Sequence, residues 1–164
     1  TITADRFKTD LSIIKSVIKS NENRKRFLTL KIEKILLNKI KNKKITFLGV
    51  TFKANTDDMR NSTSISMIPA LIKKGAKITY YDPSGEKSEF SKFKNVFYCN
   101  NILDACDKTD LVIIHSEWDE FKTIDFKKIS RGKKLKIFDM RNLYSPKKMK
   151  NLGISYYSIG RPAY

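Results

Sequence analysis

Apolar positions divide the chain into two textures. Over the first 41 residues Leu11, Ile14, Val17, Ile18, Leu28, Ile32, Ile35, Leu36 and Ile40 recur at three- and four-residue steps, the period of a helix with one apolar face. The first glycine is Gly49 and the first proline Pro69, so neither of the usual breakers interrupts the stretch. The pattern predicts one long helix from a cap near Thr9 or Asp10 to about Lys41. At the α-helical rise it would be roughly 45 Å long, more than a domain of this size is wide. Part of it is therefore expected to pack on something outside the domain. The polar stretch Lys19 to Arg26 splits the stripe into two apolar segments, as if each half served a different partner. An amphipathic helix folded back on its own core is the alternative.

From Lys44 onward short apolar runs alternate with helical stretches. Strands are expected at Ile45 to Val50, Ala76 to Tyr81, Val96 to Tyr98, Asp110 to His115, Leu135 to Asp139 and Ile154 to Ile159. Helices are expected from Ser62 to Lys74, stopped by Gly75 and loosened at Pro69, and from Ile102 to Cys106. Near-continuous apolar strands alternating with helices imply a parallel sheet covered on both faces. The predicted fold is α/β, a Rossmann-like open parallel sheet with helices on both faces, preceded by the long N-terminal helix. Residues 1–41 form the helical segment and residues 42–164 the sheet domain.

Length and composition agree with this. The 164 residues are 40% hydrophobic, enough for the core of one ordinary domain and too many for a disordered chain. No apolar run approaches the roughly 20 residues that cross a bilayer, and no signal-peptide pattern opens the chain, so a soluble, cytoplasmic protein is expected. The chain begins Thr1-Ile2-Thr3 without methionine, which implies a piece of something longer. Cys99 and Cys106, with one histidine in the chain, are too few for a structural zinc site and read as free thiols.

The 34 Lys and Arg against 17 Asp and Glu give a net charge of +17, which raises the question of a nucleic-acid partner. Only 7 of the 34 are Arg, and the lysines are scattered along the whole chain. Arg is the residue that reads phosphates and bases bidentately, so a solvated positive surface is the expected reading and a basic nucleic-acid-binding module the rival one.

Ligands of open parallel sheets sit beyond the carboxyl ends of the strands, which selects three loops. The first, Gly49 to Ser62, has one glycine and carries Phe52 and Lys53 where a pyrophosphate-hugging backbone needs glycine, so it is not a dinucleotide fingerprint. Lys53 and Arg60 flank the start of the following helix and make a phosphate site plausible. Asp57 and Asp58 either orient those cations or solvate the loop. The second loop, His115 to Phe121, holds the single His, the single Trp and three carboxylates. Its His115 is expected to be structural, and Trp118 and Phe121 to pack under the sheet edge. In the third, Phe138 to Tyr144, Arg141 lies on the same rim as Lys53. On the residues alone it either joins Lys53 around a diphosphate or pairs with a carboxylate such as Asp139.

Taken in order, Gly49-Val-Thr-Phe-Lys-Ala-Asn-Thr-Asp-Asp-Met-Arg60, Tyr81-Asp82-Pro83, Ser116-Glu-Trp-Asp-Glu-Phe121, Phe138-Asp-Met-Arg-Asn-Leu-Tyr144 and Ile159-Gly-Arg-Pro162 resemble the C-terminal, UDP-binding domain of the UDP-glucose/GDP-mannose dehydrogenase family. Ser20-Asn-Glu-Asn-Arg-Lys25 resembles its interdomain helix, and the bacterial UDP-glucose 6-dehydrogenase branch is the nearest in texture. The resemblance implies an enzyme of two Rossmann-like domains that oxidises a nucleotide sugar in two NAD-dependent steps. It further implies that this chain is the UDP-sugar-binding half. The family's dinucleotide fingerprint and catalytic cysteine motif are unmatched, so the chain is expected to carry no catalytic residue, to hold no metal and to be inactive alone. By motif match, Phe52, Lys53 and Arg141 contact the UDP-sugar, and Arg60 reaches the NAD pyrophosphate. The implied partners are an N-terminal NAD-binding domain and a second copy of the chain, forming a homodimer through the long helix, with no specific nucleic acid and no membrane. UDP-N-acetylmannosamine and GDP-mannose remain alternative substrates, because cations that touch phosphate do not choose the sugar. Met140 stands where relatives commonly carry glycine, which implies a different backbone path beside Arg141.

Overall fold

The fold is seen in a computed structural model that describes residues 11–130, 132 and 134–162. Helix α1 (Ser12–Ile35) is 24 residues long, about 36 Å at the α-helical rise. The expected cap at Thr9 or Asp10 lies outside the described residues. The helix also stops short of Lys41. Leu37 and Asn38 take positive φ of 53° and 60°, and the Asn38 amide closes the end by donating to the Glu33 carbonyl at 2.8 Å. Periodicity ran on past this point because Leu36 and Ile40, on either side of the turn, are both buried. The two halves of α1 have different surroundings. Leu28, Ile32 and Ile35 are buried against the domain, whereas Ile13, Ile14, Val17 and Ile18 are exposed.

Among the described residues six strands follow: β1 (Lys44–Leu48), β2 (Lys77–Tyr81), β3 (Val96–Tyr98), β4 (Leu111–Ile114), β5 (Lys136–Asp139) and β6 (Ser155–Ser158). Every expected strand is present, with each end within one or two residues of its expected place. They form one all-parallel sheet in the order β3-β2-β1-β4-β5-β6. The order reverses between β1 and β4, so the loops after these two strands diverge to opposite sides and leave a crevice. Helices α2 (Ser64–Lys73), α3 (Ile102–Cys106), α4 (Phe126–Ser130) and α5 (Pro146–Asn151) supply the crossovers with two short 3₁₀ turns.

Both faces of the sheet are covered, which is why β4, Leu-Val-Ile-Ile, is buried along its whole length. On one face Ile45, Phe47 and Ile113 pack with the C-terminal half of α1 and with Met67, Ile68 and Leu71 of α2. On the other, Leu48, Val112 and Ile114 pack with Phe121, Phe126 and Tyr156. Between β1, β2 and α3 the buried Thr46 and Thr79 hydroxyls lie 2.9 Å apart and share the Ala105 carbonyl. Helix α2 runs through Pro69, which has no amide to give the preceding turn. It ends at Gly75, whose φ of +86° suits glycine and where a Cβ would sit 3.3 Å from Lys41 Cα, leaving little room for a side chain.

Candidate functional site

The crevice is built from the ends of β1, β4 and β5. After β1 the chain turns at Gly49, where a Cβ would sit 1.8 Å from Ser116 Oγ. The space over Gly49 is therefore filled by the chain's own Ser116 and Phe121, and a pyrophosphate does not fit there as it does over a dinucleotide fingerprint. The loop that follows is stapled at its base. Buried Asp82, just past β2, accepts from the Val50 amide at 2.7 Å and the Thr51 amide at 3.3 Å, and its other oxygen takes the Ser84 amide at 3.0 Å. The Ser62 and Ser64 hydroxyls each donate to the Val50 carbonyl at 2.6 Å. The Phe52 amide donates to the Asp58 carbonyl at 2.9 Å and closes the loop on itself. Phe52 and Lys53 are thereby displayed at the tip, both exposed.

Arg141 reaches this loop from β5. Its backbone is fixed by Asp139, which is fully buried and accepts from the Arg141 amide at 2.9 Å, the Leu143 amide at 2.7 Å, the Tyr144 amide at 3.1 Å and the Tyr156 hydroxyl at 2.7 Å. Four donors on one carboxylate make a rigid base. Burial and this carboxylate together push the Tyr156 hydroxyl well above its usual range. The Arg141 side chain donates from Nε to the His115 carbonyl at 2.8 Å and from one terminal nitrogen to the Phe52 carbonyl at 3.1 Å. Glu117 lies 2.9 Å from Nε. Two of five guanidinium N–H groups are used in this way, which leaves three. Met140 is accommodated without positive φ; among the described residues of this turn, Asn142 takes that conformation at 56°.

His115 is buried at the end of β4, its Nε2 2.7 Å from the Thr63 hydroxyl. Burial, helped by the nearby Arg141 charge, pushes its pKa down to about 3, so the ring is neutral. Phe121 is fully buried and Trp118 packs beside it.

The four residues singled out on sequence are not gathered into one cluster. Arg141 and Phe52 are in contact, and Lys53 is adjacent in the chain. Arg60 lies further along the loop, nearly fully exposed, with its guanidinium on both Asp58 oxygens at 3.0 and 2.9 Å. That pairing holds the Asp58 carboxyl below its usual range. So Asp58 orients a cation, as one of the two expected readings had it, whereas Asp57 is exposed. Sequence reasoning misses Glu117 as the partner of Arg141 and misses the buried staples Asp82 and Asp139, the latter holding the Arg141 amide rather than its side chain. A groove of about 570 Å³ opens beside Phe52, between the Asn61 and Thr63 side of the loop and Ile18, Asn21, Arg24 and Lys25 of α1.

A doubly wound parallel sheet with a cation fixed at its switch point belongs to the nucleotide-binding class of α/β folds. Residues 46–146 match the model of the UDP-glucose/GDP-mannose dehydrogenase family, UDP binding domain, and the chain belongs to that family. It is 36% identical over 154 residues to a UDP-glucose 6-dehydrogenase of Rickettsia bellii, covering 92% of this chain and 36% of that one. Against a UDP-glucose 6-dehydrogenase of Rhizobium meliloti it is 34% identical, covering 98% and 37%. The chain thus spans little more than a third of the curated relatives it matches. Its fold is similar to that of a UDP-glucose dehydrogenase from Pyrobaculum islandicum, with a TM-score of 0.76 at 22% identity over 95% of this chain and 34% of that one.

Proposed function

We propose that the chain is the UDP-sugar-binding part of a UDP-glucose 6-dehydrogenase, an enzyme that oxidises UDP-glucose to UDP-glucuronate with two NAD. The observation that carries this is Arg141. Its guanidinium is anchored across the switch point by the His115 and Phe52 carbonyls, with three N–H groups left for an anion. Lys53 adds a second charge from the loop tip, and the exposed Phe52 face is available for stacking or packing against the ligand. Arg60, held by Asp58 at the rim, fits an NAD pyrophosphate carried by another domain, because Ser116 and Phe121 fill the space over Gly49 in this one. NAD, when bound, supplies the hydride acceptor. The partners of this reading are an N-terminal NAD-binding domain and a second copy of the chain on the exposed half of α1.

Titration calorimetry tests the reading. UDP is expected to bind the chain, and Arg141→Ala and Lys53→Ala each to weaken it by about tenfold, the scale of one charge-assisted contact. Glu117→Gln removes a competing negative charge from Arg141 and is expected to tighten UDP. The chain alone is expected to give no NADH from UDP-glucose and NAD. Absence of UDP binding at millimolar ligand, or turnover by the chain alone, overturns the proposal.

A further inference from the structure

We propose a second anion site at the opposite end of the sheet, a cleft that takes a compact anion carrying two or more phosphate groups. All strands of a parallel sheet start at one edge, so residues that open strands are gathered there. Lys44, Lys77 and Lys136 open β1, β2 and β5, with Lys44 directly opposite Lys77. Where this edge meets the turn after α1 there is a cleft of about 410 Å³, lined by Lys39, Lys43, Lys108, Lys134, Lys136 and one carboxylate, Asp110.

Part of this charge is explained by the fold. Crossover helices run against the strands, so their carbonyl ends point at the same edge and attract cations. Lys136 Nζ donates to the Ile35 carbonyl at the end of α1 at 3.2 Å, and Lys44 Nζ to the Asp107 carbonyl at the end of α3 at 2.5 Å. Asp110 is already spent: one oxygen holds Lys43 Nζ at 2.7 Å, the other the Lys44 amide at 2.9 Å. Lys39, Lys108 and Lys134 remain, exposed and without a side-chain partner among the described residues. Five lysines against one carboxylate leave the described lining of the cleft with four positive charges in excess. A concave wall of one sign focuses the field on whatever enters it.

The chemistry selects the ligand. Lysines recognise phosphate as point charges and set no planar geometry, and several of them around one cavity favour several phosphates on one small molecule. A nucleic-acid strand is disfavoured because, among the described residues, the cleft is lined by no aromatic side chain on which a base could stack. The Arg141 crevice lies at the carboxyl ends of the strands, so the two sites are separate and stand or fall independently.

The probe is inorganic tripolyphosphate, titrated into the chain at physiological ionic strength, where loose surface attraction is screened. Saturable binding is expected. The double charge reversal Lys108→Glu/Lys134→Glu should weaken it by about tenfold or more, since it turns two attractions into repulsions, and Arg141→Ala, which removes binding at the other crevice, should leave this Lys108- and Lys134-dependent binding in place. Lys39→Glu, in an exposed turn, should weaken it as well and guards against misfolding of the double variant. The proposal is overturned if tripolyphosphate does not bind, if the reversals change nothing, or if Arg141→Ala abolishes binding. It is equally overturned if orthophosphate binds as tightly, or if a DNA oligomer binds tighter and shares the dependence on Lys108 and Lys134.

Discussion

His115, the single histidine of the chain, is held neutral at the point where the candidate site is anchored. Its ring is buried and its carbonyl holds Arg141. In the unfolded chain the imidazole takes a proton near pH 6.5, whereas in the fold it does so only at about 3. Below pH 6.5 the unfolded state therefore binds the extra proton, and stability falls as pH falls towards 3. Between pH 7 and pH 5 the loss is about 2 kcal/mol for a shift of this size. Urea midpoints at the two pH values measure it, and His115→Gln is expected to flatten the difference. An unchanged pH slope in the variant would mean that the ring is protonated in the fold. The same residue shows what a sequence can and cannot reveal about a site. A lone His after an apolar strand reads correctly as structural, since β4 carries it into the core. Glu117 was not legible as the partner of Arg141, because 24 residues and a crossover separate them and only the sheet order brings β4 beside β5. Asp82 and Asp139 look like ordinary strand-ending residues. Their burial is matched by donors that distant segments supply: Val50 and Thr51 for one, Tyr156 for the other.

The strands were legible almost to the residue, since the central strands of a covered parallel sheet are apolar on both faces. Helix α1 was legible in its body and not at its end. Hydrophobic period reports burial, and Ile40 is buried from a turn as well as it would be from a helix; the positive φ of Leu37 and Asn38 leaves no periodic signature. The division of α1 has an energetic consequence. Ile32 is fully buried between α1 and the sheet, so Ile32→Ala removes packed atoms and leaves a cavity. A loss of about 3 kcal/mol is expected in urea unfolding. Val17, on the same stripe but 53% exposed, has little to lose, and Val17→Ala in dilute chain is expected to change stability by less than about 0.5 kcal/mol. Equal losses at the two positions would show that the first half of the helix also packs on the domain.

At the scale of the whole molecule the same asymmetry bears on assembly. Ile13, Ile14, Val17 and Ile18 form a contiguous exposed apolar stripe on a surface that is otherwise dense in lysine. A charge of +17 repels a second copy at long range, and an apolar stripe attracts it at short range. The balance depends on salt, since screening removes the repulsion beyond about 8 Å at physiological ionic strength and leaves the apolar term intact. Self-association through α1 is therefore expected to strengthen with added salt, opposite in sign to the salt response of the lysine cleft, whose ligand is held by charge. Sedimentation velocity over a salt series measures it, with the species of twice the chain mass growing as sodium chloride is raised. Ile14→Glu/Val17→Glu places carboxylates in the stripe without touching the buried half of α1, and is expected to leave the circular dichroism unchanged and the chain monomeric at every salt concentration. A dimer that persists in this variant would place the interface elsewhere. A wild-type chain that stays monomeric at high salt would leave the stripe to the N-terminal domain alone, as the other partner of the proposed enzyme.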